Sequence, residues 1–215
     1  MVAFYVPVGI MAAAPPLVFA YVDGTTTTSG PTVALNFGPT NAKRYLIAAV
    51  GFTSASSLSS ITISGVTAPL LVDVISPFGS VRAAYYMASI PSGTSGSVTV
   101  GTTGEFGISL YSVWNLQSPT PLGTATNSGV SPLAMSIAAQ KDGLVLATAY
   151  QTGAPGPTAA WTGLSAVDIN QRFSRLSFTG QFSAGQYPAT ATATQNLSVA
   201  LSGTNAFSSA AISIR

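Results

Sequence analysis

Apolar and polar residues alternate with a period of two along most of this chain. Ile61 and Ile63 alternate with Thr62 and Ser64, and Val98 and Val100 with Ser97 and Thr99. Leu176 and Phe178 face away from Arg175, Ser177 and Thr179, and Leu197, Val199 and Leu201 from Ser198, Ala200 and Ser202. Ile212 and Ile214 oppose Ser213 and Arg215. Successive side chains of a strand point to opposite faces, so the pattern predicts strands with one buried and one exposed face. Residues 45–52 and 144–150 are apolar on both faces and predict central strands. Turn signals rich in Gly, Pro, Ser and Asn separate the runs: Ser29-Gly30-Pro31, Pro77-Phe78-Gly79, Ser92-Gly93, Asn127-Ser128-Gly129 and Gly153-Ala154-Pro155-Gly156. No segment carries an apolar stripe at helical spacing. The expected class is all-β, with an antiparallel β-sandwich burying these faces.

Compared with itself, the chain repeats. Leu46-Ile47-Ala48-Ala49-Val50-Gly51-Phe52 matches Leu144-Val145-Leu146-Ala147-Thr148-Ala149-Tyr150 at an offset of 98. At that offset, Ile63-Ser64-Gly65-Val66-Thr67-Ala68 matches Trp161-Thr162-Gly163-Leu164-Ser165-Ala166. Residues 24–30 match residues 123–129 at an offset of 99. Halves of about 24–114 and 122–215 follow, joined by residues 115–121. Two architectures fit. One is a single jelly-roll-like sandwich whose halves interleave across a pseudo-twofold. The other is two tandem immunoglobulin-like sandwiches. The short joining segment favours the first, because separate domains usually carry a more polar linker.

Residues 1–22 are nearly all apolar, and we expect an N-terminal arm and first strand here, ahead of a sandwich over 23–215. The run lacks the basic start of a signal peptide. Pro7, Gly9, Pro15 and Pro16 interrupt it as a membrane-spanning helix. The reading is an extended arm over residues 1–16, then a strand over 17–22. Phe4, Tyr5, Val6, Ile10 and Met11 are the candidate contacts of the arm with a partner, the alternative being an arm that closes an edge of its own sandwich.

Composition narrows the chemistry. There is no histidine and no cysteine, and only five acidic and seven basic residues. The chain therefore lacks a side chain that titrates naturally near neutral pH, a thiolate nucleophile and soft metal ligands. Asp23, Asp73, Glu105, Asp142 and Asp168 do not single out the facing pair that a glycosidase needs. Asp23-Gly24 and Asp142-Gly143 read as turns. Serines abound without a Gly-x-Ser-x-Gly elbow or a base. Neither clustered carboxylates for calcium nor a phosphate-binding glycine loop is present. Lys43, Arg44, Arg82, Lys141, Arg172, Arg175 and Arg215 are scattered, unlike a nucleic-acid footprint. The expectation is no catalysis, no metal, no cofactor, no nucleic acid and no membrane. Aromatic residues remain as recognition chemistry. Trp161 and Tyr187 are the candidate glycan contacts, weighed against a core role for the aromatics. A mean hydropathy of +0.46 with so little charge predicts that another subunit covers part of the surface.

The segments from Leu46 to Val50, Ile61 to Val66, Ala83-Ala84-Tyr85-Tyr86, Ser97 to Val100 and Gly107 to Val113 resemble a group of bacteriophage and prophage proteins. Asp142 to Ala147 and Ala159 to Leu164 continue the same style in the second half. The resemblance implies a virion surface component, of capsid-decoration, head-fibre or tail type. It implies other virion proteins and copies of the same chain as partners. The alternatives are a carbohydrate-binding or host-adhesion module that takes a host glycan, and a secreted or surface-layer β protein.

Overall fold

A computed structural model describes residues 15–28, 30–54, 56–77, 79–102, 105–152, 158–175, 178–202 and 207–215. The arm residues Phe4, Tyr5, Val6, Ile10 and Met11 lie outside the described residues. The first half holds eight strands: β1 (Val18–Thr27), β2 (Thr32–Asn36), β3 (Tyr45–Thr53), β4 (Ser60–Ile63), β5 (Val66–Ile75), β6 (Val81–Ser89), β7 (Ser95–Thr99) and β8 (Phe106–Trp114). The second holds eight more: β9 (Gly123–Gly129), β10 (Leu133–Ala139), β11 (Leu144–Thr152), β12 (Ala159–Thr162), β13 (Ala166–Arg175), β14 (Phe178–Pro188), β15 (Ala193–Leu201) and β16 (Phe207–Ile214). The class is all-β, and every pairing is antiparallel. The first strand begins one residue later than the sequence reading placed it and runs five residues further. Asp23-Gly24 therefore lies inside β1 rather than in a turn.

Strand order decides how the halves are arranged. In the first half the order is β1-β8-β3-β6-β5, continuing through β5 to β4-β7-β2. In the second it is β9-β16-β11-β14-β13 on one sheet and β12-β15-β10 on the other. Numbered within each half, both run 1-8-3-6-5 and 4-7-2, the strand order of a jelly roll. Among the described residues no strand of one half pairs with a strand of the other. The interleaved single sandwich is thus replaced by two complete sandwiches in tandem, each closing its own strand order. Residues 115–121 need only carry the chain from the end of β8 to the start of β9.

The two five-stranded sheets pack face to face. β1 lies over β13, β8 over β14, β3 over β11, β6 over β16 and β5 over β9, a pseudo-twofold stacking of four layers. This explains the strands that are apolar on both faces. Leu46, Ala48 and Val50 of β3 point into the first sandwich, beside Phe37, Ile63 and Val98. Ile47 and Ala49 point into the seam, where Leu146, Tyr150, Phe182 and Ile212 meet them from the second half. In β11, Val145, Ala147 and Ala149 point the other way, into the second sandwich. Matching faces therefore places Leu46 with Val145 and Ile47 with Leu146, one residue on from the sequence alignment. The upstream match also shifts, because β1 reaches Phe106 at Thr27 while β9 reaches Phe207 at Gly129.

Two glycines make the seam close. Gly51 and Gly107 are cross-strand neighbours on β3 and β8. A Cβ on Gly51 would lie 2.6 Å from the Tyr150 side chain, and one on Gly107 2.3 Å from Phe182. Tyr150 and Phe182 are themselves cross-strand neighbours on β11 and β14. A bare patch on one sheet thus receives an aromatic pair from the other, which fixes the register of the halves at the packing density of a protein interior.

Candidate functional site

The described polar chemistry gathers in three places, and the first is the seam. Leu70 and Val72 of β5 flank a register shift, and Val167 and Ile169 of β13 flank another. An extra residue bends a strand and re-aims its side chain. In β13 that residue is Asp168. Its Oδ2 accepts a hydrogen bond from the Tyr111 hydroxyl at 3.0 Å, and its Oδ1 accepts one from Gln186 Nε2 at 2.8 Å. Tyr111 belongs to β8 and Gln186 to β14, so one carboxylate ties both halves together. Tyr21 of β1 meets Tyr111 edge to face, with ring centroids 5.9 Å apart. Tyr85 lies fully buried in the same apolar cluster, and its hydroxyl has no hydrogen-bond partner.

Burial governs the ionisation of this group. It raises the Asp168 pKa above the ordinary 3.8, while the hydrogen bonds from Tyr111 and Gln186 pull partly the other way. Burial raises Tyr85 and Tyr111 well above the ordinary phenol value, and the Asp168 charge adds to both shifts. Tyr21 is raised by burial first, then by Asp23 and Asp168. Phenols held neutral in this way donate or accept hydrogen bonds but do not act as bases near neutral pH.

The second place is Arg44, immediately before β3 and fully buried. Its guanidinium donates from Nε to Ile90 O at 2.7 Å, from Nη1 to Pro39 O at 2.7 Å and from Nη2 to Gly93 O at 2.6 Å. It also reaches the carbonyls of Phe37, Gly38 and Ser92. The planar fork of five N–H donors suits this work, because it serves two chain segments, 37–39 and 90–93, at once. Counted from sequence only among the scattered cations, Arg44 is the staple that closes one end of the first sandwich. The third place is the ion pair of Arg82 on β6 with Asp73 on β5. Asp73 Oδ2 also accepts from Ser57 Oγ at 2.8 Å, and Arg82 Nε donates to Ser54 O at 3.2 Å.

The two aromatic residues singled out for glycan contact sit in the second sandwich. Trp161 on β12 and Tyr187 on β14 are half-buried and pack against one apolar cluster, from opposite sheets. The Trp161 indole N–H donates to Ser183 Oγ at 2.9 Å, and Ser183 Oγ donates onward to Ile169 O at 3.1 Å. The polar tip of Trp161 therefore points inward, anchored on a fully buried serine.

Among the described residues no group of three or more His, Cys, Asp or Glu side chains could hold a metal ion. Asp142 takes a positive φ of 62° in the turn before β11, and Asp23 caps the amides of Gly24 and Asn36 at 2.8 and 2.7 Å. Sequence reasoning missed the Asp168–Tyr111–Gln186 tie and the Arg44 staple. The available signal for both was the rarity of charge in an otherwise apolar or hydroxyl-bearing strand. No helix of the described residues is long and apolar enough to cross a membrane. Comparison with protein-family models, with curated proteins and with solved structures finds no match to this chain.

Proposed function

We propose that this chain is a non-enzymatic structural protein of a virion surface, assembling with copies of itself and with other particle proteins. One observation carries the reading: five of the described ionisable side chains are turned to internal fastening. Arg44 binds carbonyls, Arg82 binds Asp73, Asp23 caps two amides and Asp168 ties the halves. A catalytic site needs such groups converging on a space that substrate can enter. Here they converge on backbone and on one another. Jelly rolls serve as viral capsid and lectin domains among others, so the fold is compatible with this role by analogy and does not by itself assign it.

The uncharged apolar segment 1–16 supplies the second support, since it can bury area on a partner without desolvating a charge. Mass spectrometry of particles purified from cultures that make this protein tests the proposal. The expected result is many copies per particle. Deleting residues 1–16 is expected to leave a folded chain that no longer joins the particle. A protein recovered only free of particles, with a glycan ligand or a turnover activity lost on substitution of Asp168, would overturn the reading.

A further inference from the structure

We propose that the chain pairs with a second copy of itself along the free edge of β9, the two strands running antiparallel about a twofold axis at Thr126. This deepens the assembly reading above by naming one partner and the surface it uses. Among the described residues the edge strands of the two sheets that meet at the seam are β1, β9 and β13, because β5 continues into β4. Two of these are guarded in the same way. β1 has a register shift at Tyr21/Asp23 and carries Asp23, and β13 has one at Val167/Ile169 and carries Asp168. Bulges and charges are the devices that stop an edge from pairing with another chain. β9 has neither: its seven residues pair with β16 without a shift, and none is charged. Among the described residues its backbone hydrogen bonds go to β16 alone. Of the remaining edges, β2 and β12 have only five and four residues. β10 has seven, uncharged and without a shift, and its Ala134 carbonyl is already taken by Asn127 Nδ2 at 2.7 Å.

The apolar surface around β9 selects the occupant. Val130 and Leu122 are the two most exposed of the large apolar side chains described, at 78% and 50%. They stand just beyond the two ends of β9, equally far from Thr126. An antiparallel partner of the same sequence, centred on Thr126, sets Leu122 of each copy opposite Val130 of the other. Both exposed side chains are then covered twice over. The exposed Thr124 and Thr126 pair across the axis with uncharged neighbours. The contact is isologous and closes as a dimer. Its affinity comes from main-chain hydrogen bonds, as in other strand additions.

Size-exclusion chromatography with light scattering on the full chain, run between about 10 and 100 µM, tests this. Wild type is expected at twice the 21.7 kDa chain mass. The double variant Thr124→Lys/Thr126→Lys is expected at one chain mass with an unchanged melting temperature, because both side chains are exposed. Should that variant lose its fold, Val130→Glu makes the same test at the most exposed site. Hydrogen exchange should show the β9 amides that face away from β16 protected in wild type and released in the variant, with those bonded to β16 protected in both. A wild type that stays monomeric throughout overturns the proposal. A dimer that survives the lysines overturns the β9 assignment while leaving the assembly reading in place on another surface, and the particle measurement judges that reading separately.

Discussion

The two sandwiches share one strand order and differ in what fills them. The first holds a single apolar cluster that includes Phe37, Phe52, Phe106, Tyr86 and Ile108, and its β4–β5 hairpin joins the two sheets along one side. The second is split into two smaller clusters rich in alanine, with Ala139, Ala147, Ala189 and Ala211 in one and Ala149 and Ala159 in the other. Its β12 and β13 do not pair, and Gln151 sits fully buried with its amide unpartnered. Small side chains bury less area and gain less from packing. The comparison teaches that topology can be copied while cohesion is not. The second sandwich depends on the seam, where its largest fully buried aromatics outside Phe207, Tyr150 and Phe182, are placed.

The largest expected effect comes from breaking that dependence. Phe182→Ala empties the site over Gly107 and should cost roughly 3–5 kcal/mol in chemical denaturation. If the seam unites the halves, one transition moves as a whole. A lower midpoint seen only by probes in the second half would separate them. Next, Arg44→Met removes the donor of six carbonyls in the first sandwich and should cost roughly 2–4 kcal/mol. The same denaturation curve followed by Trp161 fluorescence in a Trp114→Phe background, which leaves the second sandwich as the only source of tryptophan emission, should shift by the same amount. A Trp161 signal that stays at its wild-type midpoint would show the sandwiches melting independently.

Smaller effects sharpen the picture. Trp161→Phe keeps the packing ring and deletes the hydrogen bond to Ser183, so a loss of about 1 kcal/mol is expected. No measurable loss would mean that the anchor contributes nothing to the weaker core. Asp168 gives the smallest effect, read through pH. Its folded pKa is raised above 3.8, so between the two values the folded chain binds more protons than the unfolded one. Stability contributed at this site therefore falls as pH rises from below 3.8 through the folded pKa, and is constant above it. The melting temperature of wild type minus that of Asp168→Asn should decrease from acid to neutral pH. A difference that grows with pH would contradict the burial argument.

Much of this was legible in the sequence. The alternation at Ile61 and Ile63, at Val98 and Val100, and at Leu197, Val199 and Leu201 returns as buried positions on outer strands, apart from Val100, which is buried just past the end of β7. The doubly apolar runs return as the centres of the five-stranded sheets, since a strand between two other layers has no wet face. Illegible positions have the same cause. Ser213 was read as exposed opposite Ile212 and Ile214, yet it is 1% exposed because β16 lies between the second sandwich and the seam. Ser209 on that strand is buried too, with its hydroxyl donated to Thr148 O at 2.9 Å. Serine serves here as a small core residue, with a backbone carbonyl at hand for Ser209 and no hydrogen-bond partner for the Ser213 hydroxyl, and alternation alone does not reveal this. The tie through Asp168 was hidden for another reason. It depends on a bulge, which re-aims one side chain without leaving a periodic trace. The one-residue error in the repeat is of the same kind, because Leu, Ile, Val and Ala are interchangeable in composition while only register assigns their faces.

Differential scanning calorimetry of the full chain tests the central claim, that two sandwiches of unequal cohesion form one body through their shared seam. The account predicts a single transition whose calorimetric and van't Hoff enthalpies agree. Two resolved transitions, the earlier one lost when the second sandwich alone is destabilised, would contradict it.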